Sequence, residues 1–241
     1  MLDAGERARL ARFHHAHDRW SYAAAHGLCR VMLSRAAGLP PRDWRFVATA
    51  HGRPMVDPAS GPPLAFSLSH TRGMAACGVM TRSRDDITAA IGGVPKTGAA
   101  IGVDVESLDR APDSLGLARR FFHPHEAAAL AERPPGERDA AFIGLWTLKE
   151  AMVKALGSGL QQGLTSFRVN SDPPSLIEAA PVFGPIAAWR LGRWTLAPGH
   201  SLALALRDPT PSPLPPAPSP LPKAERLSVT EILRAAEEAN A

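Results

Sequence analysis

Ile101-Gly102-Val103-Asp104-Val105-Glu106 and, further on, Trp146-Thr147-Leu148-Lys149-Glu150-Ala151-Met152-Val153-Lys154 are the stretches on which the reading turns. The first alternates like a β-strand, so Asp104 and Glu106 project to one face. Two hard oxygen ligands on a rigid strand suit Mg²⁺, which takes one or two carboxylates and completes its shell with water and phosphate. A solvated face of an edge strand has the same D-x-E spacing. The second stretch lies in a helical pattern marked by Phe142, Leu145, Trp146, Met152, Val153 and Leu156, with Gly157 where a helix would stop. Residues 146, 150 and 154 are successive i, i+4 neighbours. Glu150 and Lys154 are thus either site residues or a surface ion pair, Trp146 is a core residue or a ligand contact, and Lys149 either faces solvent or takes a direct part in the chemistry.

The chain has 241 residues, 45% hydrophobic and 21% charged, which fits a globular protein of one large domain or two small ones. Cys29 and Cys77 lie in apolar helix and strand patterns without C-x-x-C spacing, as expected of buried free thiols in a reducing compartment. The N-terminal MLDAGERARLARF lacks the apolar run of a signal peptide, and no stretch is long enough to span a bilayer. These features read as a cytoplasmic protein with no membrane contact. A formal charge of +4 favours acidic partners, but the arginines are scattered, so nucleic acid is not expected.

A helix is expected over 19–37, stopped by Gly38-Leu39-Pro40-Pro41, then strands near 44–49, 64–69 and 74–80 and a loop over 81–99. After the Asp104 strand come helices near 115–122, from Pro124 with Glu126, and over 137–156. Strands follow at 166–170, 186–190, 193–197 and 201–206, the last two joined by Pro198-Gly199-His200. The expected fold is α+β: two similar subdomains, 1–99 and 100–208, each a long helix packed on a small, mainly antiparallel sheet. Residues 209–222 hold 8 prolines in 14 positions and read as a polyproline spacer. In 223–241, Ser228-Val229-Thr230-Glu231 has capping-box spacing and opens a short helix or tail.

IGVDVE at 101–106, RRFF at 119–122 followed by Glu126, LWTLKEAMVKALGSGL at 145–160, and FSLSH at 66–70 occur together and in order. In this the chain resembles the 4′-phosphopantetheinyl transferases, of the large two-subdomain type that activates surfactin synthetase. The resemblance covers roughly residues 10–207. It implies a holo-[acyl-carrier-protein] synthase type of activity: transfer of the phosphopantetheine arm of coenzyme A to a serine hydroxyl of an apo acyl or peptidyl carrier protein, releasing adenosine 3′,5′-bisphosphate.

By matching positions, Asp104, Glu106 and Glu150 would hold Mg²⁺, or Mn²⁺ in its place, against the pyrophosphate. Glu150 would act as base, and Lys154 would contact coenzyme A and stabilise the leaving phosphate. His70 matches a histidine that contacts a coenzyme A phosphate, Ser69 a nucleotide contact, and Arg53 the cation of a Gly-Lys-Pro motif. The basic N-terminal residues that hold the 3′-phosphate fall in GERARLARF, where Arg9 and Arg12 stand in for them and Glu6 does not; Arg7 and Arg19 are further cations nearby. The resemblance implies that a monomer suffices. Two other readings use the same residues: a Mg²⁺-dependent phosphoesterase or nuclease, and a catalytically silent carrier-protein-binding module.

Overall fold

The computed structural model describes residues 2–49, 52–80, 99–109, 113–157 and 163–208, with residues 225, 227, 228, 230, 231 and 234. Residues 81–98 of the loop expected over 81–99, and the proline-rich 209–222, lie outside the described residues. The chain divides into two compact units, Met1–Gly98 with Pro215–Ala241, and Ala99–Leu214. Each is α+β, with one 22-residue helix and antiparallel strand pairs.

In the first unit, α1 (Ala4–Leu10) is followed by α2 (Ala16–Ala37), which ends where Gly38 takes φ +75° and donates its N–H to the Ser34 carbonyl. Only a residue without a Cβ enters that left-handed conformation at little cost, so the glycine sets the helix stop. Strands β1 (Phe46–Ala48) and β2 (Pro54–Val56) pair with each other, as do β3 (Ala65–Thr71) and β4 (Met74–Met80). Cys29, Leu33, Trp44, Val56, Leu64 and Phe66 form the core, and the Trp44 indole N–H donates to Ser34 Oγ. Neither α1 nor β2 was expected. A strand of three residues opening on proline carries almost no alternation to read.

The second unit is built on α5 (Pro135–Leu156). It packs on a three-stranded sheet ordered β5 (Ala100–Ser107), β9 (His200–Arg207), β8 (Trp189–Leu196). Helices α3 (Ser114–Phe121) and α4 (Pro124–Glu132) and the hairpin β6 (Phe167–Ser171), β7 (Pro174–Ala179) close the other side of its core. The strands expected at 186–190 and 193–197 are one, β8. The hairpin's second arm, β7, was not expected and again opens on proline. At the far end of the chain, Ser228 and Glu231 make both capping-box hydrogen bonds, at 2.6 and 3.2 Å.

Glu6 anchors α1. It completes a capping box with Asp3, with both hydrogen bonds at 2.8 Å, and its carboxylate takes the fully buried Arg30 guanidinium at 2.8 Å and His26 Nδ1 at 2.7 Å. Burial alone would raise the Glu6 carboxyl, but the hydrogen bonds from His26, Arg30 and the Asp3 backbone outweigh it and bring it down to about 2. A carboxyl held below its unfolded value stabilises the fold above that value, 4.5, and loses the contribution as pH falls towards 2. The contribution is about 3 kcal/mol. Urea titrations between pH 5 and 2 should therefore show stability falling more steeply in the parent than in Glu6→Gln. At pH 7 the variant should itself be about 3–5 kcal/mol less stable, because the buried Arg30 loses its nearer carboxylate and keeps only Asp3, at 3.6 Å.

Candidate functional site

Strand β5 runs antiparallel to β9, with Gly102 opposite Ala205, Asp104 opposite Ala203 and Glu106 opposite Ser201. The pleat puts Gly102, Asp104 and Glu106 on one face. That face meets α5: a Cβ added to Gly102 would lie 2.5 Å from the Ala155 nitrogen and overlap the Ala151 carbonyl oxygen. The helix therefore lies on bare backbone at Gly102, and Asp104, two residues on, is 3% exposed. A solvated face of an edge strand does not describe it, although β5 is an edge strand.

Close approach brings the two motifs together. Lys154 Nζ donates to Asp104 Oδ1 at 2.6 Å, so its partner is the strand's aspartate. Burial raises the Glu150 carboxyl, and the negative charges of Asp104 and Glu106 raise it further, with Lys154 offsetting only part. Three carboxylates thus act on one another across the helix–strand contact. Among the described residues no trio of His, Cys, Asp or Glu is set as a ready cage for a metal ion. As a donor set, however, hard oxygens crowded enough to raise the proton affinity of Glu150 are what a divalent cation relieves. Trp146 packs against Phe121, Phe122 and Phe142 and is a packing residue.

Lys149 requires a correction. It does not face solvent: it is fully buried, with Nζ 2.7 and 2.9 Å from the two Glu126 oxygens and 2.7 Å from the Phe167 carbonyl. Glu126 also accepts from the Val169 and His123 backbone N–H groups, at 2.8 and 3.0 Å. The pair ties α5 to α4 and β6 and fixes the rotation of the helix that carries Glu150. Burial pulls the Lys149 ammonium down to about 8, with Glu126 holding it up. Helical periodicity gave no sign of this, since residue 149 reads as polar on either face. Glu126, third in a helix started by Pro124, was the available signal.

In the first unit, Ser69 is buried and His70 exposed, on opposite faces of β3. Arg53, beside β2, donates to the Phe66 carbonyl at 3.2 Å, and burial lowers its proton affinity. Arg9 lies on exposed α1 with its guanidinium carbon 5.8 Å from the Tyr22 ring centre. Arg12 is exposed, its N–H closing the turn after α1 on the Arg9 carbonyl at 3.1 Å.

The Glu126–Lys149 pair can be tested by unfolding. Lys149→Met and Glu126→Gln should each cost about 3–5 kcal/mol by leaving a buried charge without its partner. Lys149→Met combined with Glu126→Leu should cost clearly less than the sum of the two single changes. Additive losses in urea titrations would show that the pair is not coupled.

Residues 100–206 match the family model described as the 4′-phosphopantetheinyl transferase superfamily. The 4′-phosphopantetheinyl transferase HetI of Nostoc sp. is 31% identical over 186 residues, covering 76% of this chain and 71% of that protein. The 4′-phosphopantetheinyl transferase Sfp of Bacillus subtilis is 28% identical over 211 residues, covering 87% and 84%. Among solved structures, the holo-[acyl-carrier-protein] synthase of Thermotoga maritima aligns with a TM-score of 0.38 at 25% identity, over 45% of this chain and 62% of that one. With Asp104, Glu106, Glu150 and Lys154 inside the matched segment and relatives of this kind spanning both units, the chain belongs to the 4′-phosphopantetheinyl transferase superfamily.

Proposed function

We propose that this protein transfers the 4′-phosphopantetheine moiety of coenzyme A to a serine hydroxyl of an apo acyl or peptidyl carrier protein. The observation that carries the reading is the meeting of Asp104, Glu106, Glu150 and Lys154 at the α5–β5 contact, in a chain of this family. Asp104, Glu106 and Glu150 would hold Mg²⁺ or Mn²⁺, which would neutralise charge on the pyrophosphate oxygens of the substrate.

The carrier serine oxygen bonds to the β-phosphorus as the bond from that phosphorus to the bridging oxygen breaks. Glu150, whose proton affinity is raised by burial and by its neighbours, accepts the hydroxyl proton. Lys154 stands one helical turn further on, beside Asp104. Its ammonium offsets the charge that develops on the leaving adenosine 3′,5′-bisphosphate. Arg9, Arg12, Arg53, Ser69 and His70 are assigned to the nucleotide end, the part of coenzyme A that does not react.

The net charge of +4 suits an acidic carrier surface. We read the protein as a cytoplasmic monomer; among the described residues no helix is long and apolar enough to cross a membrane. The phosphoesterase or nuclease reading is weaker, because its Asp and Glu-x-Lys would be wanted on adjacent strands whereas Glu150 and Lys154 lie on a helix.

Incubation with coenzyme A, Mg²⁺ and several apo carrier proteins should add one phosphopantetheine per carrier by intact mass; folded protein that modifies none of them overturns the reading. Glu150→Ala should lower turnover by about 10²–10⁴-fold, and undiminished turnover would remove the base assignment. Gly102→Ala leaves every carboxylate in place yet forces α5 off β5, so turnover should fall about 10²-fold and stability by about 1–3 kcal/mol. Cleavage of DNA that disappears in Asp104→Ala would favour the nuclease.

A further inference from the structure

Strand β9 lies between β5 and β8, and Ser201, Ala203 and Ala205 share its α5-facing side, directly opposite Glu106, Asp104 and Gly102 on β5. The helix crosses that face from β8 to β5. A Cβ added to Gly144 would lie 3.2 Å from the guanidinium of Arg193, which stands opposite Ala203 on β8, while Gly102 meets Ala151 and Ala155. All three β9 side chains are 0% exposed. A helix this close leaves room for small side chains, and alanine meets that need at two of the three positions.

Ser201 departs from the pattern. Its Oγ is buried and, among the described residues, has no hydrogen-bond partner. Burying a hydroxyl in this way is unfavourable, and an alanine would fill the same place without the cost. Packing therefore does not account for the oxygen; its register does. Asp104, opposite Ala203, already takes the Lys154 ammonium from the helix, and the hydroxyl stands opposite the other strand carboxylate, Glu106. Side chains directly opposite in an antiparallel pair have Cβ atoms about 4.5–5.5 Å apart, within reach of a hydroxyl and a carboxylate.

We infer that Ser201 is a positioning residue for the cation site: its hydroxyl donates to the Glu106 carboxylate when that group binds the divalent cation. This rests on the divalent-cation reading proposed above. A carboxylate that gives one oxygen to a cation keeps lone pairs on the other, and a donor that engages them fixes the rotation of the group. The serine proton turns about the Cβ–Oγ bond, so it serves without any shift of the backbone. Ser201 touches neither substrate nor cation and acts through Glu106. A ligand already oriented costs less to order when the cation arrives.

The test is titration of the full chain with Mn²⁺ in the presence of coenzyme A, following free Mn²⁺ by electron paramagnetic resonance. Ser201→Ala should weaken Mn²⁺ about tenfold. Two controls separate this from a packing defect. In metal-free protein the urea midpoint of Ser201→Ala should equal or exceed that of the parent, since a buried hydroxyl is removed. Binding of coenzyme A in the presence of a chelator should stay within about twofold. Parental Mn²⁺ affinity in Ser201→Ala overturns the inference and leaves the cation assignment standing. A weaker Mn²⁺ affinity accompanied by a lower urea midpoint, or by weaker metal-free coenzyme A binding, marks a merely structural serine and also overturns it. A parent protein that binds no Mn²⁺ defeats the cation assignment and the inference together. Ser201-dependent Mn²⁺ binding in a protein that modifies no carrier would defeat the transferase reading and still support the role of Ser201.

Discussion

Helix α5 lies on strand β5 at backbone distance because residue 102 has no side chain, and the second unit is arranged around that contact. Any Cβ there would meet the Ala151 carbonyl and the Ala155 nitrogen, and a packed interior has no slack to absorb the displacement. The same face of β5 carries Asp104 and Glu106, and the same part of α5 carries Glu150 and Lys154. The glycine therefore sets the spacing between two pairs of charged groups without touching any of them. Small residues on the facing side, Ala151 and Ala155, are the helix's half of the arrangement.

Two buried ion networks do comparable work, one in each unit. Lys149 and Glu126 join α5, α4 and β6, while Glu6, Arg30, Asp3 and His26 join α1 to α2. Buried charges are expensive to desolvate and add little net stability when paired. Their value is geometric: each polar atom accepts only a few partners at set distances, so the element that carries it cannot slide or rotate as it could on an apolar face. In both networks the element so fixed also carries an assigned site residue, Glu150 next to Lys149 and Arg9 one turn from Glu6. Function here draws on the directionality of hydrogen bonds, and stability on the apolar cores beside them.

Long elements were legible from the chain alone. The alternation at 101–106 and the helical spacing at 142–156 gave β5 and α5, and Gly38 and Gly157 marked the ends of both long helices because each sits at positive φ. Short elements were not. Strands β2 and β7 open on prolines, and α1 reads only as a charged stretch. Trp189–Leu196 was split in two because Gly192 interrupts its pattern. Lys149 was misplaced because a lysine gives no sign of burial until its partner is known. That partner, Glu126, lies on another helix.

By itself the sequence determined which residue types sit on which element: carboxylates two apart on a strand, a glutamate and a lysine one turn apart on a helix, and the family to which that order belongs. Periodicity and glycine stops are local properties, written within a few turns of chain. Only the tertiary structure decided that Lys154 pairs with Asp104 and that Lys149 is interior. Those outcomes depend on contacts between residues far apart in the chain. Such contacts are settled by which apolar faces can be closed together and which buried charges can be satisfied, and no single segment encodes either.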